Sequence, residues 1–241
     1  MVNIDTVYQR VLILANKEQR GYITPQEFNL YANQAQMEIF EQYFYDLNQS
    51  LRNPGNNTTY ADVDDMLEEK LQVFENTDES GIINLYPLTP DLNAVVIPDY
   101  IYRIIRIENN NNNCEILSTK DFNEANNGSY LIKPNFSRPI ANIKNNSITI
   151  SVGGVGGNVT IPTRISYFKI PYKVEWGYFV LNTKALYDSN PIKTKHFELH
   201  RSEETELVYK ILKLTGVSMK KDDIMKAGQG MEMLQLQQEK Q

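Results

Sequence analysis

Cysteine is almost absent from this chain of 241 residues, since Cys114 is the only one. A single thiol cannot form an intramolecular disulfide bond, and it cannot supply the roughly four Cys or His ligands that a structural zinc ion usually takes. The sequence therefore excludes a disulfide-stabilised scaffold and argues against redox chemistry.

Long apolar runs are lacking as well. No stretch approaches the roughly 18 to 20 consecutive apolar residues of a membrane span, and the N-terminal residues MVNIDTVYQR lack the basic and then apolar order of a secretory signal. With 41% hydrophobic residues, the chain can bury the core of one full domain or two small ones. We expect a globular protein that is made and kept in a cytoplasm, with no membrane contact.

The chain also lacks an excess of basic residues. The formal net charge is -6 and the isoelectric point is about 5.1. Affinity for nucleic acid comes largely from clustered Lys and Arg that contact phosphates. The charge balance therefore argues against a protein whose main task is to grip nucleic acid, although it suits one past which DNA simply moves.

The N-terminal part of the sequence, residues 1–80, has the apolar spacing of three helices. The first is predicted over residues 5–19, with Gly21 placed to end it in a left-handed conformation. The third is predicted over residues 60–74, after the turn-forming residues 53–57. Between them, a long second helix is expected to extend to Leu47.

The second helix begins with the strongest local signal in the chain. Thr24 is the predicted N-cap, Pro25 takes the first helical position, and Glu27 completes a capping box. Ile23 is expected to pack on Phe28 as a hydrophobic staple. Such a cap stabilises a helix by roughly 1 kcal/mol.

From residue 81 to residue 181 the apolar pattern changes to a period of two, which is typical of strands. Strands are predicted at 94–97, 101–107, 114–117, 147–152, 158–167 and 174–181. The run Asn109–Asn113 is predicted to be a hairpin loop, and the glycines of Gly153–Gly157 a flexible hairpin tip. This pattern indicates an inserted antiparallel β region.

The chain returns to a helical pattern in residues 182–219, where Ser202 is the predicted N-cap of a helix that Gly216 ends. Residues 220–241 are polar and are expected to form an extended arm, or a frayed helix, that orders only against a neighbour. The predicted fold class is α+β, with a helical body built from the N- and C-terminal helices around the inserted β region.

Several motifs could carry chemistry, and each has a simpler structural interpretation. His196 and His200 flank a glutamate, but the order differs from the zincin motif and no third ligand is evident. Gly153–Gly157 lacks both the third glycine of a dinucleotide loop and the Gly-Lys-Ser/Thr of a phosphate loop. The carboxylates from Asp62 to Glu69 fall on the wet face of an amphipathic helix, where no apolar pocket would raise a pKa.

A nucleophile is equally unsupported. The sequence contains no Gly-x-Ser-x-Gly elbow, and Cys114 lies beside an Asn-rich loop instead of at a helix N-terminus. We therefore predict no catalytic, cofactor-binding or metal-binding residues, and a protein that is not an enzyme.

Two segments resemble structural proteins of tailed bacteriophages. Residues 21–29, GYITPQEFN, followed by residues 33–36, NQAQ, are similar to the N-terminal signature of a family found in crAss-like and related podoviruses. The residues FELH at 197–200, with SEE at 202–204 and LVYKIL at 207–212, resemble the last helix of the same group. The resemblance covers about the first and the last fifty residues, and the β region matches less specifically.

The resemblance implies a head-to-tail connector, or neck ring, which in such phages is usually a dodecamer docked under the portal through which genomic DNA leaves the capsid. The implied partners are further copies of the chain, the portal protein, the adjacent neck or tail ring proteins, and DNA that passes through the lumen without sequence-specific binding. The implied location is the virion, with assembly in the host cytoplasm. We expect helices 24–47 and 202–214 to form the ring wall, while the β region and the arm reach adjacent rings.

Two other classes of function stay open at this point. A tail-associated cell-wall hydrolase would need a cleft with perturbed carboxylates. A DNA-packaging accessory protein would bind DNA with salt-sensitive affinity in spite of the acidic isoelectric point.

Overall fold

The chain divides into two units, which we call the helical unit (residues 1–73 and 171–241) and the β unit (residues 74–170). The computed structural model describes residues 1–16, 23–50, 58–78, 94–109, 111–128, 133–152, 164–182, 184–190, 192–218, 226 and 228–234. The α+β fold class predicted from the sequence is confirmed.

The described residues contain five α-helices that we number, ten strands, and a short helical segment at residues 228–234. The helices are α1 (Ile4–Asn16), α2 (Pro25–Ser50), α3 (Thr58–Gln72), α4 (Thr119–Asn127) and α5 (Glu204–Ser218). The strands are β1 (Glu75–Asp78), β2 (Ala94–Val96), β3 (Ile101–Asn109), β4 (Asn112–Asn113), β5 (Glu115–Leu117), β6 (Ile140–Lys144), β7 (Ser147–Ser151), β8 (Arg164–Lys169), β9 (Tyr178–Leu181) and β10 (Lys184–Tyr187).

Helix α2 begins at the capping box that the sequence predicts. The Thr24 hydroxyl accepts a hydrogen bond from the Glu27 amide at 3.3 Å, and the Thr24 amide donates to the Glu27 carboxylate at 3.0 Å. The Thr24 hydroxyl also donates to this carboxylate at 2.7 Å. These hydrogen bonds hold the pKa of Glu27 below its usual value. Ile23 and Phe28, the predicted staple pair, are both fully buried.

The core of the helical unit lies where α5 packs against α1 and α2, and α2 also packs against α3. The buried residues of α2 recur at helical spacing, which explains why one face of this long helix is covered. They include Phe28, Ala32, Ala35, Ile39 and Tyr43, and α5 contributes Leu207, Val208, Ile211 and Leu212.

Two four-stranded sheets form the β unit. Their strand orders are β1-β8-β3-β4 and β2-β7-β6-β5. The pairs are antiparallel except for β5 and β6, which are parallel and are connected by a segment that contains α4. One hydrophobic core contains residues of both sheets, among them Ile107, Ile148, Ile150 and Ile165, together with Cys114 between β4 and β5.

The boundaries of the β region differ from those predicted. The β unit begins at residue 74 and ends at residue 170, compared with the predicted 81–181. Strand β1 has the sequence ENTD, which has no apolar alternation, so its backbone pairing with β8 leaves no trace in the hydrophobic pattern. The predicted strand 174–181 is continuous only from Tyr178 as β9, which pairs with β10 in the helical unit.

Residues 220–241 were predicted to form an extended arm or a frayed helix, and the structure describes residues 226 and 228–234 of them. Residues 228–234 are helical, and Glu232 is bound by two lysines of α5, as described below. Residues 220–225, 227 and 235–241 lie outside the described residues. So do Gly21, residues 53–57, the Gly153–Gly157 tip and the first part of the predicted strand 158–167.

Candidate interaction site

Side-chain amides on α2 bind an extended backbone segment in the helical unit. Asn33 accepts from the Val174 amide and donates to the Val174 carbonyl, both at 2.9 Å. Asn29 makes the same pair of bonds with Trp176, at 2.8 and 3.4 Å, and Gln36 donates to the Tyr172 carbonyl at 2.8 Å. We call these three side chains, Asn29, Asn33 and Gln36, the amide ladder.

The amide ladder can form because the spacing of every fourth residue on a helix nearly matches the spacing of alternate residues on a strand. Four residues of an α-helix rise by about 6 Å, and two residues of a strand by about 6.6 Å. Amides at positions 29 and 33 on one helix face can therefore pair with alternate residues, 176 and 174, of an antiparallel extended segment. The ladder supplies the hydrogen bonds that a neighbouring strand would otherwise provide.

Glu198 extends the same arrangement. Its carboxylate accepts from the Tyr172 amide at 2.8 Å, and its own amide donates to Gln36 at 3.2 Å. Glu198 is the glutamate between the two histidines singled out in the sequence, and its buried carboxylate binds backbone. The sequence offered no signal for this role, because its partners are distant in the chain.

An aromatic cluster continues from the amide ladder. Trp176 lies 4.3 Å from the ring of Tyr8 and 5.9 Å from those of Tyr178 and Tyr187, measured between ring centroids. Its indole nitrogen donates to Asp5 at 3.0 Å. Tyr178 and Tyr187 face each other across the β9–β10 pair, so the cluster fixes the base of this hairpin.

The outer part of the β9–β10 hairpin is apolar and exposed. Val180 and Leu181 are 65% and 56% exposed, and their neighbours Phe179 and Leu186 are also exposed. Consecutive strand residues point to opposite faces, so apolar side chains meet solvent on both faces of this ribbon. A hairpin that is anchored at its base and apolar along its length has the character of an interaction surface.

Gly177 allows the base of the hairpin to pack closely against the loop before His196. A Cβ atom at Gly177 would lie 2.6 Å from Thr194 Oγ1 and 2.7 Å from the Lys193 carbonyl oxygen. The Gly177 amide donates to the same Thr194 hydroxyl at 3.1 Å, and this hydroxyl donates to the Asp188 carbonyl.

We expect Gly177→Ala to lower the free energy of unfolding by about 1–3 kcal/mol, because the loop at 192–194 must shift to admit the methyl group. Urea unfolding followed by fluorescence of Trp176 would measure the change. Gly230→Ala is the matched control: its Cβ would meet nothing within 4 Å. Alanine favours a helix over glycine by about 0.5–1 kcal/mol, so this variant should gain stability. Equal losses in both variants would contradict the close approach at Gly177.

A second cluster consists of buried charges on and around α5. Lys70 of α3 forms an ion pair with Glu203 at 2.8 Å. Lys210 lies 3.3 Å from Glu206 and 3.0 Å from Glu232. The side chains of Glu203, Glu206 and Lys210 are nearly inaccessible to solvent.

Opposite charges offset the cost of burial within this cluster. Burial alone would raise the pKa of Glu203, but hydrogen bonds and charge from Lys70 hold it below its usual value. Burial alone would lower the pKa of Lys210, but Glu206 and Glu232 keep it above its usual value. The cluster is therefore a set of ion pairs that substrate could not reach, and its chemistry is structural.

The residues singled out in the sequence have separate structural roles. His196 accepts from the Ile4 amide at 3.4 Å, while His200 caps the 3-10 turn Arg201–Glu203, the place predicted for Ser202. Ser202 instead donates to the carboxylate of the adjacent Glu203 at 2.9 Å. Within the described part of the chain, no group of three or more His, Cys, Asp or Glu side chains could hold a metal ion.

Two further features singled out in the sequence are the Cys114 thiol and the acidic face of α3. Burial, with the negative charge of Glu108, raises the pKa of the Cys114 thiol to about 11, which makes it a poor nucleophile. On α3, Asp65, Glu68 and Glu69 are exposed, as predicted for a wet face. Side chains at positions 62 and 64 lie outside the described residues.

One cleft of about 260 Å³ lies in the β unit between β5, α4 and the start of β6. Its charged lining residues are Glu115, Asp121, Glu124 and Arg138, all of them exposed. Arg138 forms an ion pair with Glu115 at 2.9 Å. The cleft is thus open to solvent, and this ion pair partly neutralises its charge.

No protein-family model matches the sequence, and no curated protein is significantly similar to it. Among the helices of the described residues, none is long and apolar enough to cross a membrane.

Proposed function

We propose that the protein is a structural subunit of a tailed-phage particle that forms a ring, expected to contain twelve copies, in the portal-to-tail connector. In this ring it lines the channel through which DNA leaves the capsid. The observation that carries the proposal is the anchored apolar hairpin β9–β10. The portal protein and adjacent neck or tail rings are its proposed partners, and the virion is its proposed location.

The hairpin supports assembly because its apolar side chains are exposed in a free subunit and would be stabilised by burial against a partner. Burying a Val or Leu side chain fully stabilises a protein by about 1.5–3 kcal/mol. A two-stranded hairpin is marginal by itself, yet the helical unit holds this one through the amide ladder and the Trp176 cluster. Because these interactions hold an exposed apolar hairpin in a fixed orientation, they favour a partner that covers it.

The resemblance to phage connector proteins agrees with this arrangement. Asn29, Asn33 and Gln36 lie in the N-terminal segment that carries the resemblance, and Glu198 lies in the C-terminal one. The same residues build the amide ladder and its extension. The segments of the resemblance therefore belong to the support of the hairpin.

The double substitution Val180→Asp/Leu181→Asp is expected to abolish ring formation, since it places two charges in the surface that would be buried. Native mass spectrometry and negative-stain electron microscopy of the full chain would count the copies. The control Ile116→Asp/Ile143→Asp places the same two charges on exposed positions of β5 and β6, and it should leave the rings intact.

A wild-type protein that stays monomeric at every concentration, and that is missing from the neck of the particle, would contradict the proposal. If that monomer bound duplex DNA with salt-sensitive affinity, the packaging-accessory function would replace it.

A further inference from the structure

The helical residues 228–234 lie against α5 through a glycine and a glutamate. A Cβ atom at Gly228 would lie 3.1 Å from the Lys213 backbone nitrogen and 3.3 Å from Lys213 Cβ, so the two backbones approach closely. One turn later, Glu232 accepts from Lys210 at 3.0 Å through Oε1 and from Lys213 at 2.8 Å through Oε2. Lys210 also donates to Gln42 of α2 at 3.2 Å.

The polarity of this segment is the reverse of the usual one. Positions 228 and 232 share one face of a helix, whereas positions 233 and 234 lie on other faces, about 100° and 200° around the helix axis from position 232. Met233 and Leu234 are 69% and 61% exposed, whereas Glu232 is buried. A surface helix normally buries its apolar face. Here ion pairs of Glu232 hold the segment on α5, whereas the side chains of Met233 and Leu234 stay exposed and contribute little hydrophobic stabilisation.

The β9–β10 hairpin is a complementary surface on the same chain. It exposes Val180, Leu181 and Leu186, and its one charged residue is the exposed Lys184. The C-terminal segment offers apolar residues together with the acid Glu232. The C-terminal segment and the hairpin are therefore both apolar and carry opposite charges. In a ring, one surface of each copy meets a different surface of the next copy, so these two surfaces can meet between copies.

We propose that residues 228–234 form a latch, which is closed on α5 of its own chain through Glu232 in the free subunit and opens on assembly to pack Met233 and Leu234 on the β9–β10 hairpin of a second copy. Closure of the latch through Glu232 is a property of the single chain. Its docking on the second copy rests on the proposed ring function.

Closure through Glu232 is tested on the monomer with Glu232→Gln. Loss of the carboxylate charge leaves both lysines without this partner, and amide hydrogen exchange across residues 228–234 should become at least tenfold faster, with exchange in β6 and β7 unchanged as the internal control. Unchanged exchange at 228–234 would overturn the latch, whatever the oligomeric state of the protein.

A disulfide tests whether opening is needed for assembly. Cβ atoms of a disulfide lie about 3.5–4.5 Å apart, close to the 3.3 Å between Lys213 Cβ and a Cβ at position 228. Oxidised Lys213→Cys/Gly228→Cys should lose at least nine-tenths of its rings and regain them on reduction. Cys114 is buried and should stay a thiol. Oxidised protein that assembles as well as the reduced form would overturn the proposal.

The docking is tested by mixing two differently tagged variants, Leu234→Cys and Leu186→Cys, under oxidising conditions. We expect disulfides that join the two tags within rings, while a mixture of Leu234→Cys with Ile143→Cys should give none. Rings without the first cross-link would overturn the docking and leave the latch and ring formation standing. Absence of rings in the wild type would overturn the proposed function, and the exchange measurement would still decide the latch.

Discussion

Replacing Lys210 with methionine is expected to lower the free energy of unfolding by about 3–5 kcal/mol, because removal of one partner leaves buried charges uncompensated. Methionine has a similar length and fills the same space, so the loss would report on charge and not on a cavity. The Glu206 side chain, 3.3 Å from the ammonium group, is almost completely buried, and Glu232 is also buried. Urea unfolding of the full chain, followed by Trp176 fluorescence and circular dichroism, would measure the change.

Lys120→Met is the matched control for this variant. Lys120 and Glu124 also form a Lys–Glu pair four residues apart on a helix, at 3.8 Å, but the Lys120 side chain is 81% exposed. Exposed pairs of this kind contribute less than about 1 kcal/mol. A loss at Lys210 as small as the loss at Lys120 would show that the α5 cluster is solvated, in contradiction to its burial.

Replacing Asn33 with leucine should cost about 2–4 kcal/mol, the second largest loss we expect. Leucine has nearly the same shape but cannot pair with the amide and carbonyl groups of Val174, which is buried. Each buried group left without a partner costs about 1–3 kcal/mol. We also expect faster amide exchange in β9 and β10, since residues 172–176 lead directly into the hairpin. Urea unfolding and hydrogen exchange would measure the two effects.

Asn48→Leu is the control on the same helix. Asn48 is exposed, and its amide donates to the Phe44 carbonyl of α2 itself at 2.8 Å. Its loss should change stability by less than about 0.5 kcal/mol, as for most surface substitutions. If both variants lost the same amount, the amide ladder would not be what holds the extended segment.

Local signals predicted where α1, α2, α3 and α5 lie, because the interactions that start a helix lie within a few residues of each other. The predicted end of the last helix was wrong, since Gly216 lies inside α5, which extends to Ser218. Thr24 and Glu27 are three residues apart, and the apolar stripe of α2 repeats every turn. On α5, Leu207, Val208, Ile211 and Leu212 are buried at helical spacing for the same reason. Strand β1 was missed, since its ENTD sequence pairs through the backbone and has no pattern of its own.

The features that define the candidate site could not be predicted in this way. Asn33 and Val174 are separated by 141 positions in the chain, and Lys210 and Gln42 by 168. In sequence, an asparagine on a helix and a lysine four residues after a glutamate both suggest a solvated surface. Which of them becomes buried depends on the packing partner.

The sequence by itself determined the α+β fold class, the cap of α2, the apolar stripes of α2 and α5, and the absence of disulfides, since each depends on composition or on neighbours within about two helical turns. Only the tertiary structure decided that amides of α2 bind residues 172–176, that Glu232 is bound by Lys210 and Lys213, and that the β9–β10 hairpin is left apolar and exposed. These features come from contacts between distant segments, whose free energies are set by burial, and burial is a property of the folded chain.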